Sequence, residues 1–266
     1  MMHNSERITV ITGASSGIGL SAAKLFREKG DKVYCLSRRP CPETGVISIP
    51  CDITDEEAVN SAVERIIDEC GKIDVFICNA GFGISGAVEF TEIADAKRQF
   101  DVNFWGAMRC IRAVLPHMRK RSTGRIIVTS SVAGAISIPF QAYYSATKAS
   151  LNAIVLAVNN EVRSYGIKLC AVMPGDIKTG FTAARDKLFT GEESYTSLKK
   201  SVASMEHDEQ NGMQPSSIAK KMYSLSIKRN PKPLSSVGIK YQACCLLIKL
   251  LPARTANWIV GKMYAD

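Results

Sequence analysis

RITVITGASSGIGLSAAKLFREKG, residues 7–30, carries three signals in a fixed order. Ile8 to Thr12 is a β-branched, apolar run of strand length. A glycine-rich turn, TGASSGIG (Thr12 to Gly19), follows it directly. A helical pattern then runs on until Gly30 closes it. A strand passing through such a turn into a helix opens a βα unit, and the free N–H groups at the helix start can receive an anion there.

The same alternation continues along the chain. KVYCLS (32–37), VISIP (46–50), IDVFICNAG (73–81), GRIIVTSS (124–131) and IKLCAVMPG (167–175) read as strands. Their apolar runs do not alternate with polar residues, as expected of strands covered on both faces by helices. TDEEAVNSAVERIIDECG (54–71) reads as a helix opened by a capping box from Thr54 to Glu57 and stopped by Gly71. Residues 91–121 and 142–166 supply further helices. No linker or repeat interrupts this pattern. The expectation is one α/β domain over 1–266, a doubly wound parallel sheet.

Composition narrows the function classes. With 46% hydrophobic and 22% charged residues, the chain is that of an ordinary globular protein rather than a disordered or fibrous one. The 34 basic residues exceed the 25 acidic ones, which suits anionic ligands or an anionic membrane surface. Lys and Arg look scattered, without a basic tail or a groove-binding motif, so nucleic acid is not expected as a partner. Cys35, Cys78 and Cys170 sit inside apolar runs, where a thiol behaves as a small hydrophobe. No paired C-x-x-C occurs, and His3, His117 and His207 are far apart, so no metal site is expected. MMHNSERITV has no apolar signal core, and no apolar run reaches spanning length. A reduced, cytoplasmic protein is the expectation.

The glycine turn gains weight from its position at a strand–helix junction. Glycines there permit a tight turn and close approach of a diphosphate. At the end of the second strand an acidic residue would bond a free ribose 2′-hydroxyl, whereas arginine accommodates a 2′-phosphate. The sequence places Ser37 there, with Arg38 and Arg39 next. This favours NADP(H) over NAD(H). Asp31 precedes the strand and is not expected to reach.

Within YYSATK (143–148), only one tyrosine has a lysine four residues on: Tyr144 and Lys148 share a helix face, while Tyr143 is followed at that distance by Thr147. TGASSGIG, CNAG (78–81), VNFWG (102–106), SSVAG (130–134), YSATK (144–148) and PGDIKT (174–179) follow one another in order. Together these motifs resemble the short-chain dehydrogenase/reductase family, in its compact one-domain form, strongly over about residues 6–180. The resemblance implies a Rossmann fold of about seven parallel strands, a nicotinamide cofactor, and a homodimer or homotetramer. It implies a catalytic set of Asn103, Ser131, Tyr144 and Lys148. Gly13, Gly17 and Gly19 resemble the phosphate turn, lined by Ser15, Ser16 and Ile18. Asp52, with Ile53 beside it, matches the adenine contact. Asn79, Ala80 and Gly81 match the segment under the adenosine ribose, and Pro174, Gly175, Ile177 and Thr179 the segment holding the nicotinamide amide.

In that arrangement Tyr144 exchanges a proton with the alcohol or ketone oxygen, Ser131 donates to the same oxygen, and Asn103 bends its helix to hold a water. The Lys148 ammonium, together with the positive nicotinamide ring of the oxidised cofactor, is expected to lower the phenol's pKa from its free value of about 10. Ser130 is the rejected neighbour of Ser131, because the family spacing selects the serine thirteen residues before Tyr144. Tyr143 is assigned to the wall or the core.

Pocket walls are expected from the loops beyond the strands' carboxyl ends. Phe82, Ile136, Ile138, Pro139, Phe140, Phe181, Leu188 and Phe189 are candidates, with Phe82 and Phe140, beside Ser131 and Tyr144, expected against the substrate. An insertion over about 180–214 supplies part of the wall. IPFQAYYSATK resembles hydroxysteroid and retinol dehydrogenase-like members, so a hydrophobic secondary alcohol or ketone, steroid or lipid-like, is favoured. A small or acyl-type carbonyl substrate, or a catalytically silent NADP-binding protein on the same fold, are the alternatives. The apolar and basic segment over about 239–264, split by Pro252, has three readings: a helix closing the pocket, a subunit contact, or a membrane-surface helix. The first two are preferred.

Overall fold

The computed structural model describes residues 6–265; His3 lies outside them. Seven strands form one parallel sheet: β1 (Ile8–Thr12), β2 (Lys32–Ser37), β3 (Ile47–Pro50), β4 (Val75–Cys78), β6 (Gly124–Thr129), β7 (Ile167–Met173) and β9 (Leu234–Ser236). Their order is β3-β2-β1-β4-β6-β7-β9. The order reverses between β1 and β4, and a crevice opens at such a switch point. A two-stranded parallel ribbon of β5 (Ile84–Ser85) and β8 (Asp186–Lys187) lies apart from the sheet.

Helices cover both faces. Val10, Tyr34, Leu36, Phe76, Ile126 and Val128 point into one layer, with α2 (Glu56–Cys70), α4 (Gly106–Lys120) and α5 (Ala142–Glu161) on it. Ile11, Val33, Cys35, Ile77, Ile127 and Cys170 point into the other, against α1 (Gly17–Glu28) and α7 (Pro215–Ile227). Burial on both faces is why the strands are apolar throughout. Cys35, Cys78 and Cys170 are buried free thiols in these layers. α3 (Ile93–Phe100) runs into α4 through a wider π turn, Asp101–Trp105.

Three readings are corrected or completed. Asp55, not Thr54, caps α2: its carboxylate accepts from the N–H of Glu57 and Ala58, while Thr54 bonds Asp52 instead. The 180–214 insertion is not all loop, since it contains β8 and α6 (Leu198–Gln210). β9 and α7 did not stand out in the sequence; Leu234 is the one large apolar residue of β9. Pro252 separates α8 (Ile239–Leu250) from α9 (Ala253–Tyr264). Among the described residues no helix is long and apolar enough to cross a membrane.

Candidate active site

The glycine turn lies where β1 feeds α1, at the carboxyl edge of the sheet. Thr12 Oγ1 accepts from the N–H of both Asn79 (2.9 Å) and Ala80 (3.0 Å), which ties the ends of β1 and β4 together. Asn79 returns a side-chain bond to the Thr12 carbonyl at 3.1 Å and receives one from Thr129 at 3.2 Å. A Cβ on Gly13 would lie 2.9 Å from Ala80 Cα, and one on Gly19 would lie 2.5 Å from the Gly13 carbonyl. Gly13 and Gly17 have φ of +66° and +56°, a left-handed conformation costly to other residues. Ser16 caps α1 without a side-chain bond, leaving the first-turn N–H groups facing the turn. Ser15 is half-buried, and Ile18 packs on the α1-side core. Across the turn stands Thr179, 3.6 Å from where a Gly17 Cβ would be. A bare glycine cradle, an uncapped helix start and a facing threonine fit a dinucleotide diphosphate.

The adenosine end is more mixed. Arg38 and Arg39 are exposed, and no ion pair engages either among the described residues. Ser37 turns its hydroxyl to the Arg39 carbonyl. Asp52 carries a lowered pKa, chiefly because the Thr54 N–H bonds its carboxylate. Ile53 directs its side chain into the core against Gly106, so only its backbone remains for a ligand. Asp31 is buried with Arg7 and Thr9 and stays away from the site, as expected.

At the other end, β6 delivers Ser131 and α5 delivers Tyr144 and Lys148. Ser131 opens a short 3-10 turn, Val132–Gly134, and accepts from the Ala133 N–H at 3.1 Å. Ser130 bonds the Lys148 carbonyl at 3.2 Å and serves packing instead. Lys148 is 4% exposed; its Nζ donates to the Thr129 carbonyl at 2.9 Å and lies 5.6 Å from the centroid of the Tyr144 ring. Gly81 passes beside it, 3.7 Å from Lys148 Nζ to the position a Cβ would take. The π turn carries Asn103 inward, where its Oδ1 accepts from the Phe82 N–H at 2.9 Å and its Nδ2 donates to the Phe82 carbonyl at 2.9 Å. The side chain thus clamps the backbone just past Gly81.

Burial dominates the electrostatics of the Tyr144 and Lys148 side chains. Burial pushes the Tyr144 phenol up to about 12; Ser131 and Arg185 oppose the shift, Glu209 adds to it, and Lys148 is not among its causes. Lys148 is itself pulled down to about 8 by burial. The lysine ammonium lies 5.6 Å from the ring centroid, and burial is the largest cause of the phenol's shift.

A model of the short chain dehydrogenase family matches residues 7–188. The chain belongs to this family.

The dehydrogenase is 38% identical over 261 residues to a 3-ketodihydrosphingosine reductase of Bacteroides thetaiotaomicron, covering 97% of this chain and 94% of the relative. A crystal structure of a short-chain dehydrogenase from Streptomyces avermitilis matches it with a TM-score of 0.86 and 25% identity over the whole of both chains. The structure of ElxO with NADP bound matches with a TM-score of 0.75 and 26% identity, covering 90% of this chain and 99% of that one. The chain is therefore an oxidoreductase on a single Rossmann-like domain, a fold that binds nicotinamide dinucleotides.

Of its expected wall residues, Phe181 packs beside Tyr144, with ring centroids 5.9 Å apart. Phe82 lies under the Arg98 guanidinium at 4.7 Å. Phe140, at a left-handed φ of +60°, packs with Ile138, Tyr195 and Tyr264 on the Leu198–Val202–Met205 face of α6. Pro174 accepts from the Val132 N–H at 2.9 Å, joining the 174–179 segment to the Ser131 turn. Ile177 is buried and bridges Met213. Gly175 lies beneath the Tyr241 ring, and Tyr241 donates to Asp176.

Sequence reasoning missed a buried ionic group in this dehydrogenase. Arg185 is 5% exposed and pairs with Glu209, to which Thr182 also donates at 2.6 Å. The guanidinium lies 5.6 Å from the Phe181 ring centroid. The partners stand 24 residues apart on different elements, and no local pattern marks them.

Proposed function

We propose that this dehydrogenase is an NADP(H)-dependent oxidoreductase that interconverts a secondary alcohol and a ketone, with Tyr144 as general acid and base. The observation that carries the reading is the convergence of Tyr144, Ser131 and Lys148 beside a glycine cradle able to admit a dinucleotide. Gly13, Ser15, Ser16, Gly17, Ile18 and Gly19 hold the diphosphate. Asp52, the Ile53 backbone and Asn79 to Gly81 line the adenosine side, and Pro174 to Thr179 the nicotinamide side. Arg38 and Arg39, exposed and without an ion-pair partner, receive the 2′-phosphate.

A nicotinamide dinucleotide held by these residues would supply the hydride chemistry. In ketone reduction Tyr144 gives its phenolic proton to the carbonyl oxygen, and Ser131 donates a hydrogen bond to that oxygen as charge gathers on it. Lys148, anchored on the Thr129 carbonyl, would hold the ribose hydroxyls of the cofactor beside Tyr144. Asn103 holds the Phe82 backbone and thereby Gly81.

The substrate is a long-chain ketone of the sphingoid-base type. The 38% identity to a 3-ketodihydrosphingosine reductase extends over nearly the whole of both chains, and Phe181 sets an apolar ring beside Tyr144. The test is consumption of NADPH on addition of 3-ketodihydrosphingosine, compared with NADH and with a short methyl ketone. Turnover of the short ketone alone would overturn the substrate class; turnover of neither would overturn the reading.

A further inference from the structure

The charge of this chain is not evenly spread. Residues 210–265 contain nine Lys and Arg and no Asp or Glu, so this segment accounts for the entire net charge of +9. The impression of scattered basic residues hides an absence of acidic ones.

Within this segment α8 is apolar on two sides. Tyr241, Cys244, Cys245 and Ile248 face inward, and Tyr241 covers Gly175 and bonds Asp176. Ile239, Leu246 and Leu250 are 87%, 61% and 74% exposed, and Ala243 is exposed between them. At 3.6 residues per turn these four fall within an arc of roughly 60° and form one straight outer stripe. Lys240 and Lys249 are exposed at either side of it, where long stems lie along apolar surface and ammonium heads reach outward. α9 adds Trp258, 62% exposed, with Arg254 and Lys262 four residues before and after it. Isolated exposed leucines need no explanation, but a continuous stripe with cationic flanks on helices that carry no acidic residue of their own does.

We propose that α8 and α9 dock the protein on an anionic lipid surface, the stripe entering the acyl boundary and the lysines meeting lipid phosphates. The charge decides this occupant. A second copy of the chain would bring the same cations against Lys240 and Lys249, whereas an anionic bilayer complements both the stripe and its flanks. The position of the helices gives docking a use. Tyr241 seals the nicotinamide-side segment, and Tyr264 of α9 packs in the cluster that holds Phe140. The two helices thus close the substrate side with their inner faces. For the long-chain ketone proposed above, docking places the pocket mouth where such a substrate dissolves. The docking surface itself does not depend on that reading.

Sedimentation of the full-length protein with sucrose-loaded vesicles tests it. Vesicles of phosphatidylcholine with phosphatidylglycerol are expected to pellet the protein at low ionic strength, and pure phosphatidylcholine vesicles are not. Raising the salt should release it. Leu246→Asp with Leu250→Asp is expected to lower the partition coefficient on the order of tenfold or more. A second variant, Lys240→Gln with Lys249→Gln, keeps the stripe and should weaken binding to the anionic vesicles. Both should keep the parent's circular-dichroism spectrum and its melting temperature within a few degrees, which reports folding apart from docking. Failure of the protein to pellet with anionic vesicles overturns the proposal. So does an unchanged partition in both variants, or a concentration-dependent dimer that Leu246→Asp dissolves without any vesicle binding. None of these outcomes reads turnover of the lipid substrate, so they stand apart from a failure of the reductase reading.

Discussion

Lys148 holds its ammonium 5.6 Å from the centre of the Tyr144 ring while donating to the Thr129 carbonyl. The spacing that brings the two onto one face also buries the cation, and burial pulls its pKa from 10.5 to about 8. A depressed lysine is a linkage statement: the charged form is disfavoured in the folded state, so the penalty is in force below pH 8 and fades as pH rises towards 10.5. The shift corresponds to roughly 3 kcal/mol, offset by about 1 kcal/mol for the Thr129 bond. Lys148→Met should therefore abolish turnover yet unfold at higher urea at pH 7, by about 2 kcal/mol net. The gain should shrink between pH 8 and 10.5. A variant less stable than the parent at pH 7 would contradict it.

Arg38 and Arg39 test the cofactor assignment directly. Replacing both with alanine should raise the KM for NADPH about 10- to 100-fold and leave that for NADH within about threefold, since charge-assisted bonds to a phosphate contribute about 1.5–3 kcal/mol each before solvent screening. Steady-state kinetics with both cofactors decides it, and equal losses would remove the case for the 2′-phosphate.

Gly13→Ala separates cradle from catalysis. Its Cβ would sit 2.9 Å from Ala80 Cα at a φ of +66°, a strain on the order of 1–3 kcal/mol. The expected outcome is a lower melting temperature together with loss of NADPH binding, read by fluorescence titration. Tyr144→Phe, by contrast, should keep binding within a few-fold while lowering kcat by a factor of about a hundred or more. Full binding by the glycine variant would show that the diphosphate lies elsewhere.

What the sequence disclosed follows from how local each signal is. Six of the seven sheet strands are apolar runs bounded by turn residues, and they could be read one at a time. β9 could not, because its pairing with β7 depends on Leu234 and the backbone of two serines. The cap of α2 was misplaced by one residue because Thr54 and Asp55 are both good cap formers, and only the Asp52–Thr54 bond removes the threonine from contention. The position of Asn103 in the chain gave no sign that both polar atoms of its side chain are taken by Phe82. Helical spacing placed Tyr144 with Lys148, but the sign of the resulting pKa shift came from burial, which no spacing encodes.

Glu209 offers the sharpest electrostatic test. It pairs with the nearly buried Arg185, and its charge raises the Tyr144 pKa whereas that of Arg185 lowers it. Glu209→Gln removes the negative member and leaves Arg185 acting alone on the phenol. The Tyr144 pKa should fall, so the pH at which alcohol oxidation reaches half its maximum should move to lower values, because oxidation needs the phenolate. Arg185→Met should move it the opposite way. Breaking the pair leaves a buried charge uncompensated, and each single variant should be less stable by about 3–5 kcal/mol. The double variant should recover part of that loss, because neither charge is then stranded. Two pH profiles shifting in the same direction would mean that the pair acts through packing on Phe181, not through its field on Tyr144.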